Sequence, residues 1–219
     1  MKKIAVVLCG CGAMDGSEIH ESVFTLLAID ELGAEYKCFA LDKPQARVMN
    51  TASGQELNES RNQLVEAARI SRGKINKLQE LKSNDFDALI LPGGFGAAFN
   101  LCTFAKDKAQ ATVEPEVERI VREFYDSKKP IGAICIAPTI IALVLGKAVN
   151  PTLTAGEADD TVAVELEKLG ATTQGCKTSD CVIDRENKIV STPAYMNAKR
   201  ISEVREGIAK LVKAVLEMG

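Results

Sequence analysis

The sequence predicts an α/β chain: a three-layer α/β/α sandwich with a mostly parallel, doubly wound sheet. Three observations point to it. Short continuous apolar runs end abruptly at glycine, proline or small residues, as strands buried on both faces do. Amphipathic stretches with helical spacing lie between these runs. The alternation continues along all 219 residues without a linker, an internal repeat or a low-complexity tract. One domain over residues 1–219 is expected, with apolar residues at 46%, enough for a sizeable core.

Each element has a local reason. Ile4–Cys9 is an apolar run stopped by Gly10 and reads as the first strand. A helix from Glu18 to Leu32 follows, with Ile19, Val23, Leu26, Leu27 and Leu32 at helical spacing. Ser17 is its expected N-cap and Gly33 its stop. Ala34–Ala40 completes a β-α-β start, which requires a right-handed crossover and parallel strands. Residues 41–85 read as an irregular insertion, with a small hairpin around Ser53-Gly54 and a short helix over Asn62–Ile70. Phe86–Leu91 is a buried strand ending in Pro92-Gly93-Gly94-Phe95-Gly96. Pro115 opens a helix that runs to Ser127. Pro130–Ile134 is a strand, followed by a helix from Ala137 to Leu145. Leu153-Thr154 reads as a short strand, and Thr161–Leu169 as a helix stopped by Gly170. Cys181–Asp184 and Lys188–Thr192 form a hairpin, and residues 197–217 a last amphipathic helix.

Bulk chemistry excludes several classes. A net charge of -3 argues against general nucleic-acid binding. No apolar run nears the roughly 18 residues a membrane span needs. The first apolar run is too short and too soon broken for a signal peptide, so a cytoplasmic location is expected. Seven scattered cysteines cannot all pair, and with one histidine no histidine-rich metal site can form, so no metal is expected.

Ligands in doubly wound sheets bind beyond the carboxyl ends of the strands. Three loops fall there: 10–17, 92–96 and 135–137. Cys135 stands where a buried strand turns into a helix, with small residues around it and Pro138 in the first helical turn. That is the logic of a nucleophile elbow, and the helix N-terminus favours a thiolate. A buried strand-end cysteine is the alternative. Gly93 and Gly94 allow consecutive N–H groups to form a nest for an oxyanion, unless the loop is a plain tight turn. Glu18 opens the first helix at the same end of the sheet. It reads either as a carboxyl partner for Cys135 or as an acid favouring the helix dipole. Helical geometry puts His20 about 200° from Glu18, on a different face.

Four segments together carry a resemblance: 15–21 (Asp15-Gly16-Ser17-Glu18-Ile19-His20-Glu21), 91–98 (Leu91 to Ala98), 135–138 and 191–196. On these the chain resembles the PfpI / class I glutamine amidotransferase-like superfamily. Within it, the chain resembles the ElbB-like, isoprenoid-biosynthesis-associated glyoxalases and their mitochondrial relatives. The resemblance implies a flavodoxin-like sandwich, Cys135 as elbow nucleophile and Glu18 as its carboxyl partner. It implies oxyanion donors at Gly94 and Ile136, with Gly93 and Tyr195 beside the substrate, and a homodimer. Two departures narrow the chemistry. Many members carry a histidine just after the nucleophile, where this chain has Ile136. Amidotransferases have a downstream histidine, but the one histidine here, His20, lies upstream.

What remains is addition of the thiol to an aldehyde. The resemblance suggests a glutathione-independent glyoxalase that converts glyoxal or methylglyoxal to glycolate or lactate. It needs no cofactor and has no partner beyond a small dicarbonyl or aldehyde and a second copy. The alternative is a redox or stress sensor with little turnover, built on a reactive Cys135 thiolate.

Overall fold

A computed structural model describes residues 1–157 and 161–219. The strands are β1 (Lys3–Leu8), β2 (Glu35–Ala40), β3 (Met49–Asn50), β4 (Gln55–Glu56), β5 (Ile75–Lys77), β6 (Ala88–Leu91), β7 (Ile131–Ile134), β8 (Thr152–Leu153), β9 (Thr172–Thr173), β10 (Val182–Asp184) and β11 (Ile189–Thr192). The helices are α1 (Ile19–Glu31), α2 (Gln63–Ile70), α3 (Phe104–Asp107), α4 (Pro115–Asp126), α5 (Pro138–Val149), α6 (Thr161–Lys168) and α7 (Ile201–Met218).

Seven strands form the central sheet in the order β10-β11-β7-β6-β1-β2-β5. All pairs are parallel except β10–β11. The strand runs Ile4–Leu8, Ala88–Leu91 and Ile131–Ile134 are wholly buried, as expected of strands covered on both faces. α1 and α7 pack together on one face, and α4 packs with α5 against β6 and β7. The direction in which strands are added reverses between β1, which leads outward to β2 and β5, and β6, which leads the other way to β7 and β11. That is the topological switch point of a doubly wound sheet.

The expected elements form, with four differences. First, residues 41–85 are only partly an insertion. β3 and β4 make the small hairpin, but β5 joins the main sheet at its edge beside β2. Second, Ser17 does not cap α1. Its hydroxyl accepts the Cys9 N–H at 2.9 Å, and Glu18 becomes the cap, taking the Glu21 N–H on its Oε2 at 2.7 Å. Third, the apolar row on α1 faces outward. Ile19, Val23, Leu27 and Leu32 are all exposed, while Glu21, Ser22, Thr25, Leu26, Ala28 and Ile29 point inward. The inward face is partly polar because one turn of it looks onto the strand ends, where the functional side chains gather. Fourth, the helix after β7 runs four residues further than its apolar spacing suggests, and α7 starts at Ile201 after a 3-10 turn at Ala194–Met196. Among the described residues, no helix is long and apolar enough to cross a membrane.

Candidate active site

The three loops converge as expected. Backbone hydrogen bonds lace the β1–α1 loop to the loop after β6: Glu18 N–H to Gly93 O at 3.0 Å, Phe95 N–H to Ala13 O at 2.8 Å and Gly96 N–H to Gly16 O at 3.0 Å. A side chain at Gly94 would strike the Glu18 N at 2.4 Å, and its φ is +94°. Only glycine permits this close approach of two backbones.

Cys135 sits at the head of β7 with φ +61°, the left-handed conformation that a side chain disfavours by about 1–2 kcal/mol. Its N–H is tied to Thr192 O at 2.9 Å, which holds the turn in place. The strained turn lifts the thiol into the gap between loops, as in a nucleophile elbow. The Gly94 and Ile136 N–H groups both donate to its sulfur. Cys135 is 7% exposed.

The carboxyl beside the thiol belongs to Glu21, not Glu18. Glu21 is wholly buried on the inner face of α1 and hydrogen-bonds the Cys135 thiol. Its Oε2 accepts the Gly93 N–H at 3.0 Å and its Oε1 the Tyr195 N–H at 3.4 Å. Glu18 lies one turn earlier, and its Oε2 is occupied in capping the helix. Glu21 is not legible in the sequence, where Glu18 stands as the first inward residue of the helix. With Glu18 as the cap, the residue three places on turns toward the strand ends. Gly93 also changes role, since its N–H is spent on Glu21. A side chain at Gly93 would meet Cys135 Cβ at 2.6 Å and Glu21 Oε2 at 2.7 Å, so this glycine makes room for the pair.

Two anions cannot share this dry site. Burial, then the nearby Glu18 charge, pushes the Glu21 carboxyl up to about 8 from its ordinary 4.5. Burial, then Glu21, pushes the Cys135 thiol well above its ordinary 9, against the pull of the Gly94 and Ile136 N–H groups. The free thiolate expected at the helix N-terminus is therefore disfavoured, because desolvation and Glu21 outweigh the two backbone N–H groups. The pair keeps at least one proton at neutral pH.

A cavity of about 520 Å³ opens onto the thiol. Its walls include Glu18, Arg47, Gly94, Phe95, Phe99, Phe104, Lys108, Cys135, Ile136 and Tyr195. The Tyr195 hydroxyl pairs with His20 Nδ1 at 2.7 Å, and that nitrogen lies 3.9 Å from Glu18 Oε1. His20 and Glu18 are neighbours after all, because the cap residue lies off the helical wheel. Among the described residues, no three His, Cys, Asp or Glu side chains are grouped to hold a metal.

The sequence pattern of the DJ-1/PfpI family matches residues 13–191, which span the elbow, the glycine loop and the first helix. The chain belongs to the DJ-1/PfpI family. The ES1 protein homolog of Rattus norvegicus, a mitochondrial protein, is 42% identical over 99% of this chain and 84% of its own length. The mitochondrial glutamine amidotransferase-like class 1 domain-containing protein 3 of Homo sapiens is also 42% identical, over 99% of this chain and 83% of its own. An isoprenoid biosynthesis protein with an amidotransferase-like domain from Ehrlichia chaffeensis superposes with a TM-score of 0.94 at 36% identity, over 100% and 99% of the two chains. DJ-1beta of Drosophila melanogaster, 19% identical with a TM-score of 0.55 over 100% of this chain and 96% of its own, shares the fold. The cytoplasmic location expected from the sequence is overturned by the DJ-1/PfpI relatives in rat, human and Danio rerio, which are mitochondrial proteins.

Proposed function

We propose that this DJ-1/PfpI protein is a glutathione-independent glyoxalase in which Cys135 and Glu21 work as a pair. The observation that carries the reading is the buried thiol–carboxyl contact, with two backbone N–H groups at the sulfur and a cavity in front of it. An aldehyde is electrophilic enough to react with such a thiol without an imidazole base.

As Cys135 sulfur attacks the aldehyde carbon, its proton passes to the Glu21 carboxylate and on to the new alkoxide oxygen. A hemithioacetal results. The Gly94 and Ile136 N–H groups stand where charge develops. Glu21 then removes the proton from the former aldehyde carbon. The electrons form an enediolate, and Glu21 returns the proton to the adjacent carbon. The product is a thioester, oxidised at one carbon and reduced at the next. Water hydrolyses it to the hydroxy acid and restores the thiol. The balance is R–CO–CHO plus water giving R–CHOH–COOH, with no external oxidant. A carboxyl with a pKa near 8 suits both halves of this proton transfer.

The sensor alternative is disfavoured by the same geometry. A thiolate attacks the peroxide oxygen, whereas burial favours the protonated form of this thiol and leaves it nearly covered. A link to isoprenoid metabolism rests on the designation of the Ehrlichia relative. The test is lactate formation from methylglyoxal without glutathione. Cys135→Ala should abolish it, and an undiminished rate in that variant would sink the mechanism.

A further inference from the structure

The cavity is far larger than a three-carbon dicarbonyl needs, since pockets of about 300–1,000 Å³ enclose drug-sized ligands. Two of its wall residues are cations, Arg47 and Lys108. Arg47 is held in place from several sides. Its guanidinium lies 3.9 Å over the Phe99 ring, and Nε and Nη2 donate to Met14 O at 3.2 and 2.8 Å. The backbone on either side is pinned by buried side chains. Ala46 N–H donates to Asn100 Oδ1 at 2.8 Å, and Met49 N–H to Asp15 Oδ2 at 2.7 Å. Asn100 and Asp15 are themselves nearly covered, and Asn100 also bonds Cys9 O and Asp15 O at 2.9 Å each. Among the described residues, Arg47 has no carboxylate partner and its Nη1 makes no hydrogen bond. A guanidinium pre-placed in this way, with donors unspent, is a ready anion clamp.

We propose that the segment carrying Arg47 makes this a site for 2-oxoaldehydes with a carboxylate tail. The inference rests on the glyoxalase reading for its reacting end. Among the described residues, the walls carry two cations, Arg47 and Lys108, and the carboxylate of Glu18, and the cations suit an anionic tail. Phe95, Phe99 and Phe104 offer an apolar wall for the methylenes between the two ends.

Two probes test this. One is 4,5-dioxopentanoate, a 2-oxoaldehyde with a carboxylate, compared with methylglyoxal by kcat/KM. The other is levulinate, which keeps the ketone and carboxylate but has no aldehyde, followed by ligand-observed NMR titration. The wild type should prefer the anionic substrate at least tenfold. Arg47→Gln should lower that preference about tenfold or more and weaken levulinate binding to match. Arg47→Lys should recover part of both. Lys108→Gln, a change at an exposed position, should lower the preference by a smaller factor. Equal kcat/KM for the two substrates, or levulinate binding that ignores both Arg47→Gln and Lys108→Gln, overturns the proposal. Turnover of methylglyoxal alone sinks the tail site but leaves the glyoxalase. Levulinate binding that depends on Arg47, without turnover of either substrate, sinks the glyoxalase but leaves the anion site.

Discussion

At the scale of single residues, the molecule turns on one carboxyl. Glu21 is held by two backbone N–H groups and the Cys135 thiol, yet burial still raises its pKa to about 8. This has a consequence for stability. The folded chain binds the Glu21 proton more tightly than the unfolded chain does. The resulting stabilisation is complete below about pH 4.5 and is lost as pH rises through about 8. Urea unfolding between pH 5 and 9 should show the wild type losing stability relative to Glu21→Gln, by on the order of 3–5 kcal/mol across the range. Parallel curves would mean that Glu21 titrates normally. Cys135 was legible from its neighbours in sequence, since a buried run, small residues and a proline mark an elbow. Glu21 was not. Glu18 and Glu21 differ by one helical turn, and which one faces the thiol depends on which residue caps the helix. Sequence composition favours Ser17, but the Ser17 hydroxyl is engaged with Cys9.

At the scale of elements, the site is a meeting of three loops whose backbones nearly touch. The glycines of residues 93–96 were readable as a special loop. Their use was not, because it depends on what lies across the gap. The elbow itself carries strain that the thiol requires. Cys135→Gly removes the side chain from a left-handed position, whereas Cys135→Ala leaves the strain in place. The glycine variant should therefore be at least as stable as the alanine variant, by up to about 1 kcal/mol after the greater freedom of unfolded glycine is offset. A glycine variant less stable by more than about 1 kcal/mol would argue that the turn is not strained. β5 escaped sequence reading for a plain reason. Ile75-Asn76-Lys77 is short, mostly polar and at the sheet edge, where only one neighbour and partial burial are needed.

At the scale of the whole molecule, the central sheet was legible because its middle strands must be apolar on both faces. The last helix was equally plain: Val204, Ile208, Leu211, Val212 and Val215 all bury completely against the sheet and α1. Ile208→Ala should cost about 2–5 kcal/mol in urea unfolding, far more than a change on the exposed row of α1. A loss below 1 kcal/mol would mean that α7 is not integral to the core. The same helix backs β7 and β11, so loosening it should slow catalysis only as far as it lowers the folded fraction. Residues 41–85 read in the sequence as an insertion; β5 belongs to the main sheet, whereas the β3–β4 segment before it stands outside. Its value lies in delivering Arg47 to a cavity formed by residues distant in sequence, a placement no local pattern announces.

The central claim is that Glu21, rather than Glu18, moves the proton for Cys135. The most direct test is kcat/KM for glutathione-free lactate formation between pH 6 and 9 in the wild type, Glu21→Gln and Glu18→Gln. The wild-type rate should rise as the Glu21–Cys135 pair loses its first proton near pH 8. Glu21→Gln should be slower by about 10²–10⁴-fold and lose that rise, while Glu18→Gln should keep it. A rise that survives in Glu21→Gln but vanishes in Glu18→Gln would contradict the account.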